Sequence, residues 1–299
     1  MPGSVKDAWA AFLAARFGMS ARARPLGASG FTATWRVETG EGCYFVKTLP
    51  EGRAEVLEAE ADGLAALAAT RTIRVPAVLF CQCVEGVGAV LALEWLEFAP
   101  PERGYGARLG ERLAALHAAP PPIAGWGWPR DNFLGATAQT NTPVGVAGRA
   151  GWCRFFAEAR LGALARRLNP WQDGELQRAV EAVCARLPEF FDDGYEPQPS
   201  LIHGDLWSGN HAMLAGGEPV LFDPAVSVSD AEAELAMLEL FGVPPEGFWA
   251  AYAHRRPVAP GYARYRRDLY QLYHLVNHVL LFGGGYRAQA LAVARWLAR

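Results

Sequence analysis

The sequence predicts an α+β protein of two lobes: a small antiparallel sheet lobe with helices over residues 1–97, and a larger, mainly helical lobe over residues 98–299. Three observations predict it. Up to about residue 95, short apolar runs suited to strands alternate with turn residues around a helical stretch. Beyond Pro100-Pro101 the recurrence changes to the three-to-four spacing of helices. A chain of 299 residues, 51% hydrophobic, can also bury more than one compact core.

Residues 1–18 set Trp9, Phe12, Leu13 and Phe17 at helical spacing. In residues 31–38, Phe31, Ala33, Trp35 and Val37 alternate with Thr32, Thr34, Arg36 and Glu38, the period of a strand. The turn Thr39-Gly40-Glu41-Gly42 leads into a returning strand over 43–49, completing a hairpin. An Ala/Leu/Glu-rich helix over 51–69 follows, with Leu57, Leu64 and Leu67 on its apolar side, and Val75-Pro76 breaks the chain. Strands over 77–84 and 88–95 flank Glu85-Gly86, and the stretch Glu94 to Phe98 joins the lobes. The second lobe reads as helices over 105–118, 150–168, 173–187, 229–241, 246–254, 262–281 and 287–298. Ser229 and Glu232 have the spacing of a capping box. Residues 123–145, rich in Gly, Trp, Asn and Thr, show no period and read as a long loop.

Composition narrows the function. A net charge of −3 with no basic run gives no support for nucleic-acid binding. No run of eighteen apolar residues exists to span a membrane, and the N-terminal segment lacks the continuous apolar stretch of a signal peptide. Five cysteines, an odd number without paired spacing, fit a reducing compartment, so a cytoplasmic location is expected. A monomer is the working expectation.

The chemistry concentrates in His203-Gly204-Asp205-Leu206-Trp207-Ser208-Gly209-Asn210 and in Asp223, which follows the apolar run Val220-Leu221-Phe222. An Asp, an Asn five residues later and a downstream Asp are spaced as in protein kinases, where they serve as proton acceptor and Mg²⁺ ligands. Phosphate oxygens around a hard cation call for carboxylate and amide oxygens. A turn-capping role for Asp205 alone would not require the other two. Of 28 basic residues only Lys6 and Lys47 are lysine, leaving 26 arginines. Lys47 ends the run Cys43-Tyr44-Phe45-Val46, and a compact ammonium fits between phosphate oxygens where a guanidinium does not. A helical carboxylate would orient it: Glu60 is the choice, and Glu58 on another helix face is the competitor.

These residues resemble the fructosamine/ketosamine-3-kinases, relatives of the aminoglycoside and choline phosphotransferases with a protein-kinase-like fold. Besides the loop from His203 to Asn210, Asp223-Pro224-Ala225, Glu239-Leu240-Phe241-Gly242, the helix Tyr270 to His278, Arg74-Val75-Pro76, Asp131 to Gly135 and Gln139-Thr140-Asn141 carry the likeness, over nearly the whole chain. The resemblance implies ATP-dependent phosphorylation of the sugar 3-hydroxyl of ketosamines, in compact bacterial members more of ribulosamine or erythrulosamine than of fructosamine. The 3-phosphate product would release the amine, which reads as protein deglycation and repair. By resemblance Asp205 is the general base, Asn210 and Asp223 hold Mg²⁺, and Lys47 with Glu60 positions ATP. Ser29, Gly30, Phe31 and Thr32 would form the nucleotide loop, and main-chain groups of Glu94, Trp95 and Leu96 would face adenine. Two departures stand out: the loop lacks the family's usual Gly-Gly tip and holds no cysteine for redox-linked dimerisation, and the helix after Asp223 carries Glu234 where the family usually has Asp.

Trp207 is expected beneath the sugar or its amine carrier, although core packing is the plainer role for one of ten tryptophans. Asn277 and His278 are expected at the acceptor, against the plainer role of buried helix residues. His203 and His117 read as structural, and Trp126, Trp128 and Asn132 as covering the lobe junction. Two alternatives remain: a kinase for an aminoglycoside or choline-like alcohol, and an inactive nucleotide-binding scaffold. Residues 255–299 hold eight arginines and one acid, Asp268, which disfavours a polycationic acceptor.

Overall fold

A computed structural model describes residues 5–29 and 32–299. The N-terminal lobe begins with α1 (Val5–Phe17), β1 (Arg22–Ser29), β2 (Thr32–Glu38), β3 (Cys43–Leu49), α2 (Ala54–Thr70), β4 (Val78–Val84) and β5 (Gly88–Glu94). Its five strands form one antiparallel sheet in the order β1-β2-β3-β5-β4. Successive strand residues face opposite sides, and the two sides are filled by different helices. Phe12 and Leu13 of α1 cluster with Val37, Val46, Val90 and Ala92. Leu57, Leu64 and Leu67 of α2 cluster with Leu49, Leu91 and Leu93. Lys47 therefore projects from the α2 side, because Val46 belongs to the α1 side.

The strand β1 was not expected. Its Pro25 and Gly27 suppress any strand signal, yet they are tolerated because β1 is an edge strand whose register shifts between those two residues.

The chain then runs through β6 (Phe98–Ala99), α3 (Tyr105–Ala118), β7 (Asn132–Leu134), β8 (Thr137–Gln139), α4 (Gly148–Phe155), α5 (Gly162–Ala165), α6 (Pro170–Ala185), β9 (Pro199–Ile202), β10 (His211–Leu214), β11 (Pro219–Leu221), β12 (Ser227–Asp230), α7 (Ala231–Leu240), α8 (Phe248–Arg255), α9 (Arg267–Phe282) and α10 (Gly284–Leu297). The expected 123–145 loop contains the β7–β8 hairpin. The expected helix over 150–168 is divided by a wider π turn at Phe156–Leu161, and a second π turn, Tyr262–Arg266, opens α9. The capping box also gives way: Ser229 lies in β12, and the Asp230 carboxylate accepts the Glu232 N–H at 3.2 Å. Aspartate serves this cap as well as serine does.

Two ladders place the loop 203–210. β9 pairs with β12 and β10 pairs with β11, both antiparallel, so the loop 203–210 and the loop 222–226 lie side by side. β6 pairs with β10, and Phe98 stacks on Phe222 at 5.3 Å, which ties the connector between lobes to both loops. Leu221 donates its N–H to the Arg74 carbonyl at 2.9 Å, a second tie between the lobes. Trp128 adds a third through its Nε1–H to Asp62 of α2 at 2.7 Å, and Asn132 donates to the Val226 carbonyl at 2.8 Å.

Candidate active site

Lys47 Nζ lies 2.8 Å from Glu60 Oε1 and 2.7 Å from Asp223 Oδ1. One ammonium thus joins the sheet, helix α2 and the loop after β11. Burial disfavours the cation, but the two carboxylates more than offset it, and the Lys47 pKa is raised. Glu58 instead pairs with Arg130 at 3.3 Å in a half-exposed contact. Asp223 adopts φ +60°, a conformation rare for a residue with a side chain, which is observed where structure around a site over-determines the backbone.

The sequence of the catalytic loop explains its shape. Gly204 has φ +84°, and a Cβ there would stand 2.1 Å from the Ala225 carbonyl oxygen, so only glycine lets the two loops touch. A Cβ on Gly209 would stand 2.4 Å from the Trp207 ring, which therefore lies across the loop backbone. Asn210 donates Nδ2–H to the Asp205 carbonyl at 2.8 Å and to Asp205 Oδ2 at 3.3 Å. That commits the amide nitrogen and leaves Oδ1 for a cation. Burial, reinforced by the neighbouring Asp223, pushes the Asp205 carboxyl up to about 8.

Behind the loop, the Glu234 carboxylate accepts the N–H groups of His203 at 2.9 Å and Gly204 at 2.8 Å. It also accepts Nε2–H of His117 at 3.1 Å, whose Nδ1 accepts the Tyr252 hydroxyl at 2.8 Å. Burial opposes ionisation of Glu234, yet these donors hold its pKa below the ordinary value. His203 Nε2–H donates to the Phe222 carbonyl at 2.8 Å while its Nδ1 accepts the Asp205 N–H at 3.3 Å. Burial lowers its pKa, so a neutral imidazole ties Asp205 to the loop that carries Asp223. Sequence reasoning noted Glu234 only as a departure from the family's usual Asp and gave it no supporting role. Its signal was two acids, Glu232 and Glu234, within an otherwise apolar helical segment.

A cavity of about 380 Å³ adjoins Asp223. Leu26, Phe45 and Leu93 line it from the sheet, Phe98 and Phe222 from the other lobe, and residues 94–97 along the connector. Its walls are mostly apolar with main chain at the edge, which suits a flat heteroaromatic ring. The Glu94 side chain is committed to Arg74 and the Ala77 N–H, and its own N–H donates to the Ala77 carbonyl at 2.9 Å. Ser29 and Thr32 are paired across β1 and β2 at the sheet edge, whereas Gly30 and Phe31 lie outside the described residues.

On the other side of Asp205, Trp207 is 39% exposed and meets Phe241 edge-on at 6.4 Å. His278 lies tilted against Phe241 at 4.9 Å and donates Nδ1–H to the His274 carbonyl at 2.7 Å. Asn277, one residue before His278, is buried to 1% and donates to the Leu134 carbonyl at 3.4 Å, which packs α9 on β7.

The donor set suits a hard cation held jointly with a ligand. Asp223, whose side chain is 48% exposed, and Asn210 supply two oxygens. No cluster of three or more His, Cys, Asp or Glu side chains able to hold a metal exists among the described residues. Magnesium is typically bound this way, through one or two protein oxygens plus phosphates.

Sheet lobe, connector and helical lobe define a protein-kinase-like phosphotransferase fold. A solved aminoglycoside phosphotransferase bound to ADP and hygromycin B superposes with a TM-score of 0.67 at 14% identity, covering 97% of each chain, a likeness of fold alone. The chain belongs to the fructosamine kinase family, whose model matches residues 4–298. It is 45% identical to a probable ketoamine kinase of Synechocystis sp., over 84% of this chain and 81% of the relative. It is 37% identical to the chloroplastic protein-ribulosamine 3-kinase of Arabidopsis thaliana, over 86% and 76%. A solved Thermobifida fusca protein assigned to the fructosamine-3-kinases is 34% identical, with a TM-score of 0.79 over 97% of both chains. No described helix is long and apolar enough to cross a membrane.

Proposed function

We propose that this protein transfers the terminal phosphoryl group of ATP to the 3-hydroxyl of a ketosamine, the sugar adduct of an amine, and so takes part in protein deglycation. Residues 1–97 serve as the nucleotide-binding lobe and residues 98–299 as the catalytic and acceptor-binding lobe. The single observation carrying the reading is the pair of loops that sets Asp205 beside Asp223 and Asn210, with Lys47 2.7 Å from Asp223. Kinship with ketoamine and ribulosamine kinases supports the acceptor class.

Adenine fits the apolar cavity against the main chain of residues 94–96. Lys47, oriented by Glu60, holds the phosphates. Asn210 and Asp223 would hold Mg²⁺, which when bound neutralises charge on the phosphate oxygens. Asp205 accepts the proton of the attacking hydroxyl, and a carboxyl pushed up to about 8 makes a stronger base than an exposed aspartate. Positioning and charge neutralisation supply the rest of the acceleration.

The test is Asp205→Asn with ATP, Mg²⁺ and a ribulosyl-lysine derivative. Turnover is expected to fall by about 10³-fold or more while ATP still raises the melting temperature. Unchanged turnover removes the base assignment. A panel of ribulosyl, erythrulosyl and fructosyl amines beside an aminoglycoside and choline separates the acceptor classes.

A further inference from the structure

The rings near Asp205 do not stop at the acceptor hydroxyl. From Trp207 and Phe241 they continue to His278, which stands 4.8 Å from Tyr286 and 5.4 Å from Phe282. Phe241 caps the end of α7, His278 and Phe282 lie one turn apart on α9, and Tyr286 is in the first turn of α10. The end of α7 thus meets the junction of the consecutive helices α9 and α10 in one aromatic run, and none of its side chains carries a fixed charge. Trp207, Phe241 and Phe282 are 39%, 38% and 66% exposed. Clustered exposed rings of this kind mark a contact site.

We propose that Phe241, Phe282 and Tyr286 receive the amine side of the acceptor: a substituent cationic at the linking nitrogen and apolar beyond it. This deepens the kinase reading and rests on it. A hydroxyl within reach of Asp205 belongs to carbon 3 of the sugar, and the linking nitrogen is four bonds away, about 5 Å. The substituent leaves the sugar at that distance, the width of one ring. Trp207, two residues after Asp205, begins a continuous path of rings from that point. Aromatic faces attract a secondary ammonium, and an apolar substituent gains contact with each further ring. The run of rings therefore sets which amines are accepted, while Asp205 and the sugar set where the phosphoryl group goes.

The experiment compares ribulosyl adducts of methylamine and phenethylamine as acceptors for wild type, for Phe282→Ala and for the double variant Phe241→Ala/Tyr286→Ala. Wild type is expected to have the higher kcat/KM for the phenethylamine adduct. Each variant is expected to lose that preference by about 5- to 10-fold, the loss lying in KM for the larger adduct. Phe282→Ala removes a largely exposed ring and reads the effect even if the double variant does not fold. A preference that is absent in wild type, or unchanged in a folded variant, overturns the proposal. So does an equal loss of kcat on both adducts, which would give the rings a structural role. Self-association of wild type that the variants abolish, with the preference intact, would assign the rings to a second copy of the chain. Failure of wild type to phosphorylate any ketosamine removes the kinase reading itself, and this proposal with it.

Discussion

On one side of the loop 203–210 stand Lys47, Glu60 and Asp223, charged groups 2.7–2.8 Å apart. On the other stand Trp207, Phe241 and His278, rings spaced at 6.4 and 4.9 Å. The charged side is held by opposite charges, with Lys47 between the carboxylates of Glu60 and Asp223. The aromatic side is held by ring packing, and its Trp207 and Phe241 stay open to solvent. The contrast suggests a division of labour: a fixed electrostatic cradle for a constant ligand, and an adaptable aromatic surface for variable amines.

The sharpest way to break this comparison is Glu60→Gln beside Glu58→Gln. The first should lower kcat/KM for ATP by about 10²-fold with little change in acceptor KM, because Lys47 loses one of its two anions. The second removes only a half-exposed pair with Arg130 and should change activity less than about 2-fold. Equal effects would mean that the buried pair does not orient Lys47.

A second test concerns the buried imidazole of His274 in the helical lobe. His274 is pushed down to about 3 by burial, with His278 and Arg160 adding to the shift. Its folded pKa lies below its unfolded one, so its contribution is present above about pH 6.5 and is lost progressively as pH falls toward 3. At pH 5 the loss is roughly 2 kcal/mol. Asp205, shifted upward, works in the opposite direction, so the informative quantity is the difference between wild type and His274→Gln. Melting curves from pH 7 to pH 5 should show wild type losing more stability than the variant. Parallel curves would mean that His274 is protonated in the native state.

The smallest effect sharpens the comparison. Trp207→Ala should raise acceptor KM by about tenfold and leave the nucleotide dissociation constant within about twofold. A matching loss in nucleotide affinity would merge the two sides into one.

The charged cluster of Lys47, Glu60 and Asp223 beside the loop 203–210 was legible in the sequence because its information is local. The spacing from Asp205 to Asn210 lies within one loop, and Lys47 ends a strand that alternation reveals. Even the choice of Glu60 over Glu58 rests on helix spacing, and the structure sets Glu60 against Lys47. The acceptor side was less legible. Phe282 and Tyr286 are ordinary apolar residues until three helices meet, and Asn277 beside His278 gave no sign that one is buried and the other partly open. Edge strand β1 escaped because Pro25 and Gly27 are excluded from central strands but accepted at an edge. The Asp230 cap was misread because Ser229 fits the same pattern one residue early. The supporting role of Glu234 went unread because its partners, the N–H groups of His203 and Gly204, come thirty residues earlier in the chain.

Lys47 sits 6% exposed in its ion pairs, which leaves Lys6 as the one side-chain amine that a sugar can reach. Reducing sugars condense with uncharged amines, and a lysine locked between two carboxylates is seldom uncharged. A catalyst surrounded by carbohydrate carbonyls is thereby spared most of the damage that it is proposed to reverse in others.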